Sequence, residues 1–359
     1  MSAPSPLSPE ICCAWGIDGW RALDPAPDAV VVVDVLSFGT AVDIALAAGV
    51  TIFPAADHGD AARALAETTR AALAGPRGGS GPSLSPRSLQ DPGVARRVVL
   101  PSPNGGALCV AAGRDRRPLF IAALRNAGAV AGAVARTLPA AARIAVLPAG
   151  ERREDGSFRF ALEDWLGAGA VLAGLRAGRP GARLTAEAEA AAAGFEACAG
   201  RLREMLLACE SGRELVGRGY AQDVEVAAEF DASALVPQLE GRAVVRGPRG
   251  ESGSLERRFF EADGRIRKLP AKASDRRLAL AAVAARLPAG TPLPEREINE
   301  RLRAIYPDYC TLRRELVDGG FLSRAAGIYL RPAPEGPLPA DPDAPTAGAA
   351  GTDTGTPDA

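Results

Sequence analysis

Short runs of β-branched and apolar residues alternate with longer Ala- and Leu-rich stretches through the first two thirds of the chain. The runs are VVVVD (30–34), TIF (51–53), RVVL (97–100), LFIA (119–122) and IAVLP (144–148). The stretches 39–49, 57–73, 105–113, 125–137 and 160–178, with helical spacing, follow them in turn. Strand then helix, repeated, predicts a layered α/β domain. Val30 to Val33 is apolar at every position rather than every second one, so both faces of the sheet should be covered. The expected fold is therefore a three-layer α/β/α with a mainly buried mixed or parallel sheet, with a mainly helical stretch from Leu184 to Arg218.

The pattern changes after residue 245. A helix over 274–286 stops before Pro288, a second begins after Pro292-Leu293-Pro294 and runs to about Ile305, and Asp308 caps a third that ends at Asp318. The segment GGFLSRAAGIYLRP (319–332) then reads as a hairpin. Three helices followed by a hairpin is the order of a small winged-helix-like α+β module. The Gly, Pro and charge cluster RGPRGESG (246–253) reads as a linker. The expected division is a loose segment 1–14, an α/β domain 15–245, a linker 246–254, a module 255–332 and a disordered tail 333–359, which has too few apolar residues to offset its ordering entropy.

Composition narrows the chemistry. His58 is the single histidine, which excludes multi-histidine zinc sites and HExxH motifs and leaves catalysis to carboxylates, Arg, Ser, Asn and backbone amides. Six cysteines without a CxxC pair predict reduced thiols and a cytoplasmic location. No apolar stretch approaches the roughly 20 residues of a membrane span. The net charge is −1, but residues 1–245 hold 24 bases and 27 acids while 246–332 hold 18 and 11, a local net of +7. An electrostatic argument for nucleic acid therefore applies to the second segment alone.

In open α/β sheets the ligand crevice lies beyond the carboxyl ends of the strands. The first strand ends in Asp34, a carboxylate able to hold a divalent cation beside helix N-terminal amides or simply to cap the helix. The third ends in Ser102-Pro103-Asn104-Gly105-Gly106, where small residues let backbone approach an anion. The fourth leads to Arg125 and Asn126, and the fifth to Glu151 and then Glu163-Asp164 inside a helix, where adjacent side chains point about 100° apart. The Gly/Ser/Pro loop 75–86 is either a lid or unstructured, and Arg77 is its anion-binding candidate.

Taken in order, VVVDVLSFGTAVDIALAAG (31–49), GPRGG (75–79), SPNGG (102–106), ALRNAGAVA (123–131), LPAGE (147–151), ALEDWLGAGAVLAGL (161–175) and, more weakly, GYAQDVEVAAEFD (219–231) resemble the ComB family of magnesium-dependent 2-phosphosulfolactate phosphatases. The resemblance implies hydrolysis of a phosphate monoester of a small acidic hydroxy acid with Mg²⁺. It implies Asp34, Glu163 and Asp164 as metal-holding carboxylates, with Asp34 and Asp164 catalytic. It also implies Arg77, Asn104, Gly105, Arg125 and Asn126 as substrate-binding. Asp34 as nucleophile or as ligand stays open, and so do a metal-activated water and an aspartyl-phosphate. Many members carry Arg where this chain has Ser37 and an acid where it has Pro76, which points to a changed substrate.

GRIRKLPAK (264–272), LPEREINERL (293–302), LRRELVDGGFLSR (312–324) and IYLRP (328–332) resemble a small bacterial domain of unknown function found alone or with ArsR-type regulators. The expected partners are a small phosphorylated acid, with DNA contact through Arg313 and Arg314 and homo-oligomerisation as open alternatives, and no membrane. The rival reading is a metabolite-sensing regulator that kept the crevice and lost turnover.

Overall fold

A computed structural model describes residues 10–90, 96–115, 117–153, 155–247, 259–261, 263–270, 273–288 and 290–331. The expected tail 333–359, most of the linker and residues 1–9 lie outside the described residues.

The first half comprises β1 (Glu10–Cys13), α1 (Gly16–Ala22), β2 (Ala29–Val33), α2 (Phe38–Ala47), β3 (Thr51–Ala55), α3 (Asp60–Thr69), β4 (Ala72–Leu73), β5 (Arg97–Pro101), α4 (Gly105–Ala112), β6 (Leu119–Ala122), α5 (Ala127–Thr137) and β7 (Ile144–Pro148). A short hairpin of β8 (Glu151–Arg152) and β9 (Phe158–Arg159) follows. Then come α6 (Leu162–Gly178), β10 (Arg183–Leu184), α7 (Ala186–Cys198), α8 (Leu202–Ala208), α9 (Glu210–Gly217), α10 (Ala221–Ala227), β11 (Pro237–Glu240) and β12 (Ala243–Arg246).

Ten strands form one mixed sheet in the order β10-β1-β7-β2-β6-β11-β12-β3-β5-β4. Its two parallel blocks are β10-β1-β7-β2-β6 and β3-β5-β4. The antiparallel hairpin β11–β12 stands between them, bridged at Gln238–Phe120 on one side and Val244–Ile52 on the other. Every residue of β2 is buried. Val31 and Val33 face a core built with α5, α6 and α7, whereas Val30 and Val32 face a second core with α2 and α4. This is the three-layer arrangement that an uninterrupted apolar strand requires. Residues 10–13, expected to be loose, instead pair with β7 and β10 because Ile11, fully buried, fills the first core.

The C-terminal region contains α11 (Ala273–Ala285), β13 (Pro292–Pro294), α12 (Glu295–Ile305), α13 (Tyr309–Asp318), β14 (Ser323–Ala325) and β15 (Ile328–Leu330). Its strands pair antiparallel in the order β13-β15-β14. Asp308 caps α13 by accepting the Thr311 N–H at 3.1 Å, as its position predicts. Ile298 and Leu302 of α12 and Leu312 and Leu316 of α13, four residues apart in each helix, are their buried stripe. That stripe belongs to the same apolar cluster as Phe195 of α7, so the small region is packed onto the large one. Among the described residues no helix is long and apolar enough to cross a membrane.

Candidate active site

β2 ends at Val33, and the next residue, Asp34, is 6% exposed. Its Oδ1 accepts the Phe38 N–H at 3.1 Å and its Oδ2 accepts the Gly105 N–H at 3.0 Å. One carboxylate thus caps the N-termini of both α2 and α4 and draws together the carboxyl ends of strands from the two parallel blocks. Gly105 is required there, since a Cβ would stand 2.6 Å from Asp34 Oδ2. Burial, reinforced by the charges of Glu151 and Glu163 and opposed by the two amides, raises the Asp34 pKa to about 7.

The first turn of α6 carries Glu163 and Asp164. Asp164 turns away from its own helix amides: Oδ1 accepts the Val35 N–H at 2.7 Å and Oδ2 the Gly150 N–H at 2.9 Å. Both members of the pair are buried, each 4% exposed. Their backbone spacing alone would let only one reach a shared site. Glu163 Oε2 has no hydrogen-bond partner although it is out of contact with water. Asp164 is held well above the usual carboxylate range by burial first and then by the charges of Asp34 and Glu163. Burial followed by the neighbouring Glu163 charge pushes the Cys209 thiol up to about 12.

Asn104, the residue before α4, donates from Nδ2 to Glu151 Oε1 at 2.8 Å. The loop 75–86 is ordered across the same region. Arg77 donates to Ser37 Oγ at 2.6 Å, pairs with Asp223, and lies 5.5 Å from the Tyr220 ring. Ser85 Oγ donates to the other Asp223 oxygen at 2.8 Å. Burial lowers the Arg77 pKa while the charges of Asp223 and Asp34 hold it up, which places the guanidinium in the field of Asp34.

Arg125 and Asn126 take other partners. Arg125 pairs through Nε with Asp43 Oδ2 at 3.0 Å and through Nη1 with Glu229, so its guanidinium ties α2 to the segment after α10. Asn126 is fully buried, with Oδ1 accepting the Ala123 N–H at 2.8 Å and Nδ2 donating to the Ile121 carbonyl at 3.4 Å. Asp34, Glu163, Asp164, Asn104, Gly105 and Arg77 therefore gather at one crevice, while Arg125 and Asn126 brace its walls.

Glu151, legible in the sequence only as the residue after the fifth strand, and Arg159, not legible there at all, lie beside these residues. For Glu151 the available signal was its place at the end of the fifth strand within LPAGE, and the structure ties it to Asn104. Arg159, buried among Glu210 at 2.8 Å, Glu214 at 3.1 Å and its cross-strand neighbour Glu151 at 3.9 Å, gave none, because its two nearer partners, Glu210 and Glu214, are distant in sequence.

Among the described residues no group of three or more acidic, Cys or His side chains is placed to hold a metal ion. The all-oxygen chemistry of the donors suits a hard divalent cation held by one or two of them. Three buried carboxylates repel one another, and Glu163 Oε2 is an orphaned oxygen. Mg²⁺ commonly takes only one or two carboxylates and completes its shell with water and substrate phosphate.

Two families match this chain. The model for 2-phosphosulpholactate phosphatase covers residues 21–242, and one for uncharacterised proteins conserved in bacteria covers 265–331. A protein of Carboxydothermus hydrogenoformans called a probable 2-phosphosulfolactate phosphatase is 30% identical over 229 residues, covering 62% of this chain and 91% of that relative.

Proposed function

The chain belongs to the 2-phosphosulfolactate phosphatase family and is a phosphoric monoester hydrolase, and from that premise we propose that it cleaves a phosphate monoester of a small hydroxy compound with Mg²⁺ at the Asp34 crevice. The observation that carries the metal and the site is the convergence of Asp34, Glu163 and Asp164 with an unpartnered Glu163 oxygen. In this reading Glu163, with at most one of its two neighbours Asp34 and Asp164, would hold the cation, which when bound would supply positive charge to the phosphoryl oxygens. Asn104 and Arg77 orient the phosphate, and α4 contributes its N-terminal dipole. Arg77 is kept in place by Ser37 and Asp223. Asp34 is the group suited to hold the proton exchanged in the reaction, because both its oxygens keep a lone pair after accepting one amide each. Water adds its oxygen to phosphorus, the ester P–O bond breaks, and the proton passes to the departing alkoxide, giving inorganic phosphate and an alcohol.

The test measures phosphate release from phosphosulfolactate, phospholactate and related esters with Mg²⁺ or EDTA, in wild type, Asp34→Asn and Glu163→Gln. Asp34→Asn sets an amide donor against a backbone donor, so Glu163→Gln, whose Oε2 has no bond to lose, is the cleaner variant. Release that depends on Mg²⁺ and drops at least 100-fold in Glu163→Gln is expected. Release indifferent to EDTA or to Glu163→Gln sinks the metal assignment.

For the C-terminal region we propose a winged helix that contacts DNA, with α13 as its recognition helix and β14–β15 as its wing. The order α11, β13, α12, α13, β14, β15 supports this. So does an open groove of about 380 Å³ whose lining includes Arg314, Tyr329 and Asp318, with Arg313 and Arg324 there paired to Glu295. Duplex binding by the full chain should weaken as salt rises from 50 to 200 mM and fall in Arg314→Ala; absent or salt-indifferent binding removes the reading.

A further inference from the structure

Next to the carboxylates lies a cleft of about 250 Å³ whose walls include Trp15, Ile17, Pro103 and Phe158 and whose polar residues include Asn104 and Glu151. It borders the carboxylates through its own lining: Asn104 precedes Gly105, whose amide donates to Asp34, and the amide of Gly150, between the lining residues Ala149 and Glu151, donates to Asp164. Its position is built into the backbone. Gly150 has φ +68°, and a Cβ there would stand 2.2 Å from the Phe158 ring, so the β8–β9 hairpin folds Phe158 back over the strand that leads to the site.

Of the rings, Trp15 and Phe158 line the cleft, and Phe160 backs Trp15 from outside it. Trp15 meets Phe158 at 5.4 Å between centroids in an edge arrangement and Phe160 at 5.0 Å. Phe158 is 46% exposed and Phe160 52%, in a chain with only 5% aromatic residues. Aromatic surface left to water beside a crevice is surface that a ligand can cover. A cavity of about 150 Å³ suffices for benzene, so this cleft has room for a ring-sized group.

The charges point the same way. The lining holds Asp18 and Glu151, and its cation, Arg152, lies 3.8 Å from Asp18 and donates to the Gly156 carbonyl at 3.1 Å. A sulfonate or second carboxylate entering here would meet two acids and a guanidinium already partnered.

We infer that the organic part of the substrate is an apolar or aromatic group seated against Trp15 and Phe158, so the preferred substrate is a phosphate monoester of an aryl- or alkyl-bearing alcohol rather than of a sulfonated acid. The inference rests on the phosphatase reading of the adjacent carboxylates. The phosphate faces Asn104 and Asp34, and the ester oxygen carries the hydrophobic group outward between the rings.

The experiment compares kcat/KM for benzyl phosphate, phospholactate and phosphosulfolactate in the full chain with Mg²⁺, for wild type, Phe158→Ala and Phe158→Tyr. It also measures binding of benzylphosphonate and methylphosphonate by tryptophan fluorescence. Wild type should favour benzyl phosphate at least tenfold. That ratio should fall about tenfold in Phe158→Ala, mainly through KM, and return in Phe158→Tyr. Benzylphosphonate should bind at least tenfold more tightly than methylphosphonate. Preference for phosphosulfolactate, or a ratio indifferent to Phe158, overturns the inference and leaves the phosphatase standing. If no ester is hydrolysed, the phosphatase reading fails instead, and the two phosphonates still decide the cleft: equal binding overturns it.

Discussion

At the scale of single residues, the crevice shows why buried charge marks function. Glu163 has no ion-pair partner among the described residues, and its Oε2 makes no hydrogen bond. Such a group weakens the metal-free fold, and an isosteric neutral side chain should relieve it. Glu163→Gln is expected to raise the stability of the EDTA-treated protein by about 1–2 kcal/mol, read from urea melts, while phosphate release falls; a stability loss would mean that Glu163 has a structural partner. Arg125 shows the opposite case. It neutralises Asp43, which is 1% exposed, and Glu229 lies near the surface. Arg125→Ala leaves the Asp43 charge uncompensated, and the chain should lose about 2–4 kcal/mol in the same melts, with the ratio of kcat/KM between substrates unmoved. Asp34, Asn104 and Glu163-Asp164 could be read from the chain because strand ends are local features. The partners of Arg125 were not legible, since they lie 82 and 104 positions away.

At the scale of elements, the alternation of apolar strands and Ala-rich helices carries most of the first domain, because each run is long enough to declare its period. The hairpin β11–β12 did not declare itself. Its strands are four residues each, and its place in the sheet rests on one bridged pair per side. Only the gap between two finished parallel blocks determines where it goes. The loop 75–86 was legible as a loop, but its order was not, for the tie runs from Arg77 and Ser85 to Asp223 in α10. Asp223 is 3% exposed and serves both residues at once. Asp223→Ala should therefore release the loop, raising KM for phosphate esters about tenfold and exposing residues 75–86 to hydrogen exchange. Unchanged exchange in that segment would place the anchoring of the loop elsewhere.

At the scale of the whole molecule, the change in composition near residue 246 suggests two bodies on a linker, yet the apolar contacts run across the divide. The Phe321 ring, 6% exposed, rests on Gly200, where a Cβ would stand 2.5 Å from it, and the Arg277 guanidinium lies 5.6 Å from the same ring. Gly200 follows α7, which packs on α6, and α6 carries Glu163 and Asp164 in its first turn. A shared core of this kind makes the two regions unfold together, since neither buries its contact face alone. Calorimetry of the full chain should show one transition with equal calorimetric and van't Hoff enthalpies. Phe321→Ala should lower the stability of that single transition by about 3–5 kcal/mol, the usual cost of emptying a buried phenylalanine site. Two resolved transitions in the wild type, or a loss confined to the C-terminal region in Phe321→Ala, would mean that the regions are energetically independent and that occupancy of the basic groove has no structural route to the carboxylates.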